Sequence, residues 1–167
     1  MNSIPKVIHY CWFGGNPLSK STLKCIESWK KYCPDYEIIQ WNEKNFDINS
    51  NVYVKEACDS KKWAFITDYV RLFALHEYGG VYMDTDVEVI KNIDGLLHHK
   101  AFSGFELVNT IPTAIMAAQK GNDWIGMLLS YYNDRHFIKE DGSLDTTTNV
   151  VTITNMTKEN YNITLED

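Results

Sequence analysis

The spacing of apolar residues changes several times along the chain, and each change marks an element. Residues 6–13 (KVIHYCWF) are a short apolar and aromatic run ended by Gly14, Gly15, Asn16 and Pro17, which predicts a strand followed by a turn. Residues 19–32 place Leu23, Ile26, Trp29 and Lys30 at helical spacing, with Ser19 or Ser21 as N-cap and Pro34 just beyond the end. A second strand is expected over 36–41. Strand, helix, strand is the start of an α/β domain with a largely parallel sheet flanked by helices.

A weaker helix over 52–60 leads into a stronger one over 61–78. In the second, Trp63, Phe65, Ile66, Tyr69, Val70, Leu72, Phe73 and Leu75 point in nearly all directions, so it is expected to be largely buried; Gly79 and Gly80 stop it. Residues 81–83 resume a strand and 87–90 suggest a further short one. Downstream, 101–105 and 113–118 read as strands and 124–132 as an amphipathic helix. From residue 141 the chain is rich in Thr and Asn, and only 150–153 suggest a strand. With no internal repeat and no linker, residues 1–167 read as a single domain.

Composition narrows the function. At 167 residues the chain can bury roughly 70% of its unfolded surface, enough for a core without staples. A net charge of -6 argues against a nucleic-acid partner, which calls for a basic patch. An anionic substrate would then need a local cation, and only two of the sixteen Lys and Arg residues are arginines, Arg71 and Arg135. Cys11, Cys25, Cys33 and Cys58 show no paired zinc-ligand spacing, so reduced thiols in a cytoplasmic protein are expected. No apolar stretch reaches the roughly 18 residues of a transmembrane segment.

The chemistry concentrates at Asp84-Thr85-Asp86, which follows an apolar strand at the end where open α/β sheets place ligands. Two hard carboxylates one residue apart can share one Mg²⁺ or Mn²⁺ and leave positions for phosphate oxygens, although a solvated acidic turn has the same sequence. Asp68 and Arg71, three apart on the buried helix, share one face. They serve either as an internal ion pair or as a polar face of a sugar pocket, with Asp68 accepting from hydroxyls and Arg71 donating in fork geometry. Tyr82, Asp84 and Asp86 share one face if the backbone stays extended, with Val81 and Met83 opposite. Trp12, at a strand end, offers its indole either to the core or to a nucleobase. Glu106 is a weak candidate for facing an acceptor, while His9, His76, His98 and His99 read as packing or surface residues.

Together the runs IPKVIHYCWFGG at 4–15, AFITDYVR at 64–71 and YGGVYMDTD at 78–86 resemble a glycosyltransferase family whose sugar-binding region contains a D-x-D motif. That family includes yeast-type initiating mannosyltransferases, bacterial capsular polysaccharide transferases and, more distantly, glucosylating domains of large clostridial toxins. The resemblance covers about residues 4–120. It implies a GT-A type nucleotide-diphospho-sugar transferase fold, a UDP- or GDP-hexose donor, Mn²⁺ or Mg²⁺, a saccharide acceptor and transfer with retention, in capsular or surface polysaccharide synthesis. It places Trp12 against the donor base, Asp68 and Arg71 on the donor sugar, Tyr82 and Asp84 near the diphosphate and ribose, and Asp86 on the metal with Asp84 beside it. Related chains run on to a C-terminal His and Ser-Trp segment that helps close the diphosphate site. Nothing after His136 matches it, so that closing segment is expected to be missing. Two alternatives follow from the resemblance: a domain that binds nucleotide sugar without turnover, and a toxin-like protein glucosyltransferase.

Overall fold

In the computed structural model, which describes residues 3–105 and 110–161, the first apolar run becomes strand β1 (Val7–Cys11) and the first helical pattern becomes α1 (Lys20–Tyr32). Ser19 caps α1, its side chain accepting from the Thr22 amide, and the helix buries Thr22, Cys25, Ile26 and Trp29 on one stripe. Strand β2 (Glu37–Trp41) follows, then α2 (Val52–Asp59) and α3 (Trp63–Tyr78). The two helices are separate because Lys61 adopts φ 54, and the Lys61 and Lys62 amides donate back to the Cys58 and Ala57 carbonyls. That left-handed cap moves the start of the second helix to Trp63.

Gly79 and Gly80 carry the chain from α3 straight into β3 (Gly80–Met83). Both have positive φ, and a Cβ on Gly80 would sit 2.7 Å from the Val7 carbonyl oxygen, so only glycine permits this approach to β1. Strands β4 (Ala101–Ser103) and β5 (Ile115–Ala118) and helices α4 (Asp123–Ser130) and α5 (Asn149–Tyr161) complete the domain.

The sheet order is β2-β1-β3-β5-β4. The β1–β2 and β1–β3 pairs are parallel, as the strand-helix-strand order predicts, whereas β3–β5 and β4–β5 are antiparallel. The sheet is thus mixed: β5 inserts between β3 and β4 running against both. Side chains alternate as the pleat requires. Ile8, Tyr10, Val81 and Met83 pack on the α1 side, while Cys11 and Tyr82 pack with α2, α3 and α4 on the other.

Three local expectations are corrected. Residues 87–90 form no strand, because their backbone is held by α1: the Trp29 indole donates to the Val87 carbonyl and the Val89 amide donates to the Ser28 hydroxyl. The strand expected over 101–105 ends at Ser103. Residues 150–153 lie in α5 rather than in a strand. Their β-branched side chains favour strand locally, but Asn149, Ile153, Thr154 and Thr157 form one buried helical stripe. Thr154 Oγ1 accepts from the Ile111 amide and Thr157 Oγ1 from the Trp124 indole, so tertiary contacts override the local preference. Glu106 lies outside the described residues.

His9 ties the parallel strands to the end of α3. It is fully buried, its Nε2–H donates to the Gly79 carbonyl at 2.8 Å, and its Nδ1 accepts from the Trp41 indole at 3.1 Å. Those partners fix one neutral tautomer, and burial holds its pKa below the usual range. His9→Leu leaves the Trp41 N–H and the Gly79 carbonyl unpaired in the core. It is expected to cost about 2–5 kcal/mol in urea unfolding. A loss under about 1 kcal/mol would show that these bonds do not hold the strands.

Candidate active site

β1 and β3 run parallel and adjacent, so their carboxyl ends open on the same side of the sheet. A cleft of about 430 Å³ lies there, lined among others by Trp12, Trp63, Thr67, Tyr82, Asp84 and Asp86. One wall is built by the turn after β1. The Trp12 indole N–H donates to the Asn16 carbonyl at 2.6 Å, which holds the ring in place, and the Gly14 amide donates to Glu43. Gly14 has φ +90 and its backbone lies flat against Trp63: a Cβ there would meet the indole at 3.0 Å. Two tryptophans from distant segments therefore face one cavity. Trp63 escaped the sequence reading because it sits among seven other apolar residues of the helix; only its position at the helix start distinguished it.

The floor is built by the end of β3. The Asp84 amide donates to the Ala114 carbonyl, and Tyr82, two residues back and so on the same pleat face, donates its hydroxyl to Asp84 Oδ1 at 3.0 Å. Beyond Asp84 the chain turns, the Val87 amide closing on the Asp84 carbonyl at 3.1 Å. The extended spacing expected for Tyr82, Asp84 and Asp86 thus holds only for the first pair. Asp86 reaches the cleft through the turn and is exposed, whereas Tyr82 is buried.

Arg71 lies beneath this floor. It is buried, with its guanidinium 4.8 Å from the centre of the Tyr82 ring. Its Nη1 donates to the Thr113 carbonyl at 2.5 Å, Nε to the Thr67 carbonyl at 3.3 Å, and Nη2 to Asp68 Oδ1 at 3.2 Å with Asp84 Oδ1 at 3.5 Å. All three nitrogens are engaged within the protein. The cleft lining includes neither Asp68 nor Arg71; the pair sits behind it, joining α3 to the strand end. Burial pushes the Asp68 pKa up to about 6, with Arg71 pulling it down and Asp84 adding to the rise. Asn149, at the start of α5, also touches Asp68, and α5 was not foreseen. Cys11 lines the cleft as a protonated thiol, pushed up to about 12 mainly by burial.

A divalent cation fits this donor set. Asp84 spends Oδ1 on Tyr82 and Arg71, which leaves Oδ2, and Asp86 is exposed in the same cleft. Among the described residues no group of three or more His, Cys, Asp or Glu could hold a metal, so further ligands would come from water or a substrate oxygen.

This mixed sheet, with paired carboxylates and two indoles at the ends of its central parallel strands, is the α/β fold of GT-A type nucleotide-sugar transferases. Solved structures with this fold include the PaToxG glycosyltransferase (TM-score 0.68, 20% identity, 95% of this chain and 69% of that one) and the ligand-free glycosyltransferase domain of the YGT toxin (TM-score 0.55, 12% identity, 99% and 70%). The chain belongs to the family described as the glycosyltransferase sugar-binding region containing DXD motif, matched over residues 19–103. The matched span holds Asp68, Arg71, Tyr82, Asp84 and Asp86; Trp12 precedes it. Similar curated proteins are inositol phosphoceramide mannosyltransferase 3 of Schizosaccharomyces pombe (30% identical over 134 residues, 74% of this chain and 35% of the relative) and mannosyltransferase 1 of the same yeast (28% over 162 residues, 83% and 47%). The chain spans a third to a half of the length of these relatives.

Two outcomes follow from the geometry. Because Asp68 holds its proton more tightly when folded (about 6) than when unfolded (about 3.9), its contribution to stability is full below pH 4 and is lost as pH rises through 6. Asp68→Asn is expected to remove that slope, read as the difference from wild type in denaturation midpoints at pH 4, 5, 6 and 7. Parallel curves would place the proton elsewhere. Tyr82→Phe keeps the ring against Arg71 but removes one of the two contacts on Asp84 Oδ1, and is expected to weaken Mn²⁺ binding about fivefold, the worth of roughly one hydrogen bond, in calorimetry with nucleoside diphosphate present. Unchanged Mn²⁺ affinity would show that the hydroxyl does not orient the carboxylate.

Proposed function

We propose that this chain transfers a hexose from UDP- or GDP-hexose to a saccharide acceptor, with retention at the anomeric carbon and dependence on Mn²⁺ or Mg²⁺. The observation that carries the reading is the meeting of Asp84 and Asp86 with Trp12 and Trp63 in one cleft at the ends of β1 and β3. A nucleotide sugar presents an aromatic base at one end and a diphosphate next to the sugar, and the cleft offers indole faces and paired carboxylates in the same space.

Trp12 and Trp63 bind and orient the base. Tyr82 and Arg71 hold Asp84 through Oδ1, which leaves Oδ2 for a ligand, and Asp86 completes the pair. These carboxylates would hold the cation, which supplies Lewis-acid neutralisation of the departing diphosphate. Asp68 and Arg71, behind the cleft rather than in its lining, hold α3 against the strand end that carries Asp84. Cys11 stays protonated and takes no nucleophilic part.

The names of the yeast relatives support transfer of a hexose, mannose in their case. The acceptor we assign is a growing surface polysaccharide such as a capsule. Cys11, Cys25 and Cys33, buried as free thiols, support work in the reducing cytoplasm. No helix among the described residues is long and apolar enough to cross a membrane.

Asp86→Ala is expected to abolish metal-dependent donor binding, since the remaining carboxylate, Asp84, already spends Oδ1 on Tyr82 and Arg71 and offers only one further oxygen. Calorimetry with UDP-glucose and GDP-mannose, with Mn²⁺ and with EDTA, reads it. Equal affinity and equal Mn²⁺ dependence in mutant and wild type would remove Asp86 from the metal. Donor hydrolysis and transfer measured on the same protein separate turnover from binding alone.

A further inference from the structure

The two tryptophan walls of the cleft come from different elements, and the turn after β1 lies between them. Trp12 continues the ladder to β2, its amide donating to the Trp41 carbonyl at 2.9 Å. Past it the chain enters Gly14 and Gly15, with φ +90 and +70. Adjacent glycines lose more conformational freedom on ordering than other residues, so such a turn keeps one shape only where contacts hold it. The bond from the Trp12 indole to the Asn16 carbonyl lies within the turn and moves with it. The Gly14 amide ties the turn to another part of the protein, donating to Glu43 Oε1 at 2.5 Å.

Glu43 comes from the loop after β2, and that loop is stiff. The Asn42 amide donates to Asn45 Oδ1, the Lys44 amide to Asn42 Oδ1, and Asn45 Nδ2 to the Gln40 carbonyl, so side-chain amides mimic the backbone bonds of a turn. The Phe46 amide closes on the Asn42 carbonyl at 3.0 Å, and the buried Phe46 ring meets Phe73 of α3 edge-on, 5.2 Å between centres. Because β1 and β2 are parallel neighbours, this anchored loop stands beside the turn after β1.

Gly14 is held on both sides. Glu43 takes its amide, and a Cβ on it would lie 3.0 Å from the Trp63 indole. Any slack at Glu43 therefore becomes slack between the turn that carries Trp12 and the ring of Trp63. A gap of about 0.5–1 Å already forfeits roughly a quarter to a half of a dispersion contact, so a slot between two indoles grips a flat ring only if its width is fixed.

We infer, on the base-binding reading of Trp12 and Trp63, that Glu43 is a positioning residue for the donor's base: its carboxylate holds the Gly14 amide and so sets the spacing of the two indoles. Glu43 is not part of the cleft lining and acts through Gly14. Asp84 and Asp86 sit on the β3 side of the cleft, held by Tyr82, Arg71 and the Ala114 carbonyl, none of which depends on Glu43. Base affinity and cation affinity are thus set by separate contacts.

The test uses uridine and guanosine, which carry a base without phosphate, titrated by calorimetry into the full chain, together with acrylamide quenching of tryptophan fluorescence in the absence of ligand. Glu43→Ala removes the acceptor, whereas Glu43→Gln keeps a side-chain oxygen of the same reach. Glu43→Ala is expected to weaken the better-bound nucleoside about fivefold, the worth of roughly one hydrogen bond, and to raise quenching. Glu43→Gln is expected to restore most of both, and Mn²⁺ affinity and the urea midpoint are expected to match wild type in each variant. Wild-type nucleoside affinity in Glu43→Ala overturns the positioning role. A fall in urea midpoint and Mn²⁺ affinity alongside nucleoside affinity makes Glu43 a general structural residue and also overturns it. Raised quenching in Glu43→Ala, with neither nucleoside bound by the wild-type chain, keeps the hold on the turn but overturns the base reading of the indoles.

Discussion

A single buried guanidinium, Arg71, joins the two halves of the site. Taking a cation out of water costs several kcal/mol unless partners replace the solvent. Here they are the Thr67 and Thr113 carbonyls, the Asp68 and Asp84 carboxylates and the face of Tyr82. Burial works against the charge, but Tyr82, Asp84 and Asp68 outweigh it, so the group stays ionised. Because these partners come from α3, from β3 and from the segment before β5, one residue fixes the distance between helix and strand end. Its value is less in net stability than in specifying that geometry.

The site's remaining precision comes from the sheet. Parallel pairing of β1 and β3 brings the ends of two sequence-distant strands side by side, with the Trp12 turn on one and the carboxylates on the other. The antiparallel return of β5 then supplies Ala114, whose carbonyl anchors the Asp84 amide, and Thr113, whose carbonyl takes Arg71. A wholly parallel sheet would need helical crossovers, and between β3 and β5 the described residues form no α-helix, only β4 and a three-residue 3-10 turn at Asp94–Leu96. The mixed topology thus backs the carboxylate turn with β5 and leaves β4 as the last strand of the sheet among the described residues.

Helix α3 shows why the polar pair had two readings. A helix that is apolar nearly all round must be buried, and any charge on it must be matched. A ligand or a protein partner can meet that demand equally well, and spacing of three along a helix is common to both. In the fold the guanidinium meets it internally, while Asp68, its side chain 15% exposed, keeps a proton affinity set by burial and by the nearness of Asp84.

The sequence by itself determined the α/β class, the first parallel strands, the helix α3 and the carboxylate pair, because each rests on local spacing, capping and glycine punctuation that the neighbouring residues decide. Tyr82 and Asp84 on one face followed from the period of a strand and held as far as the strand does. What only the tertiary structure decided was whatever depends on partners far along the chain. The Val87 segment went to α1 rather than the sheet because Trp29 and Ser28 took its backbone groups. Residues 150–153 became helix because Ile111 and Trp124 rewarded two threonines a helical turn apart more than β-branching disfavoured them. Trp63 joined the cleft because Gly14 lies flat against it. Such contacts span tens of residues, and no periodicity in the intervening sequence encodes which surfaces will meet.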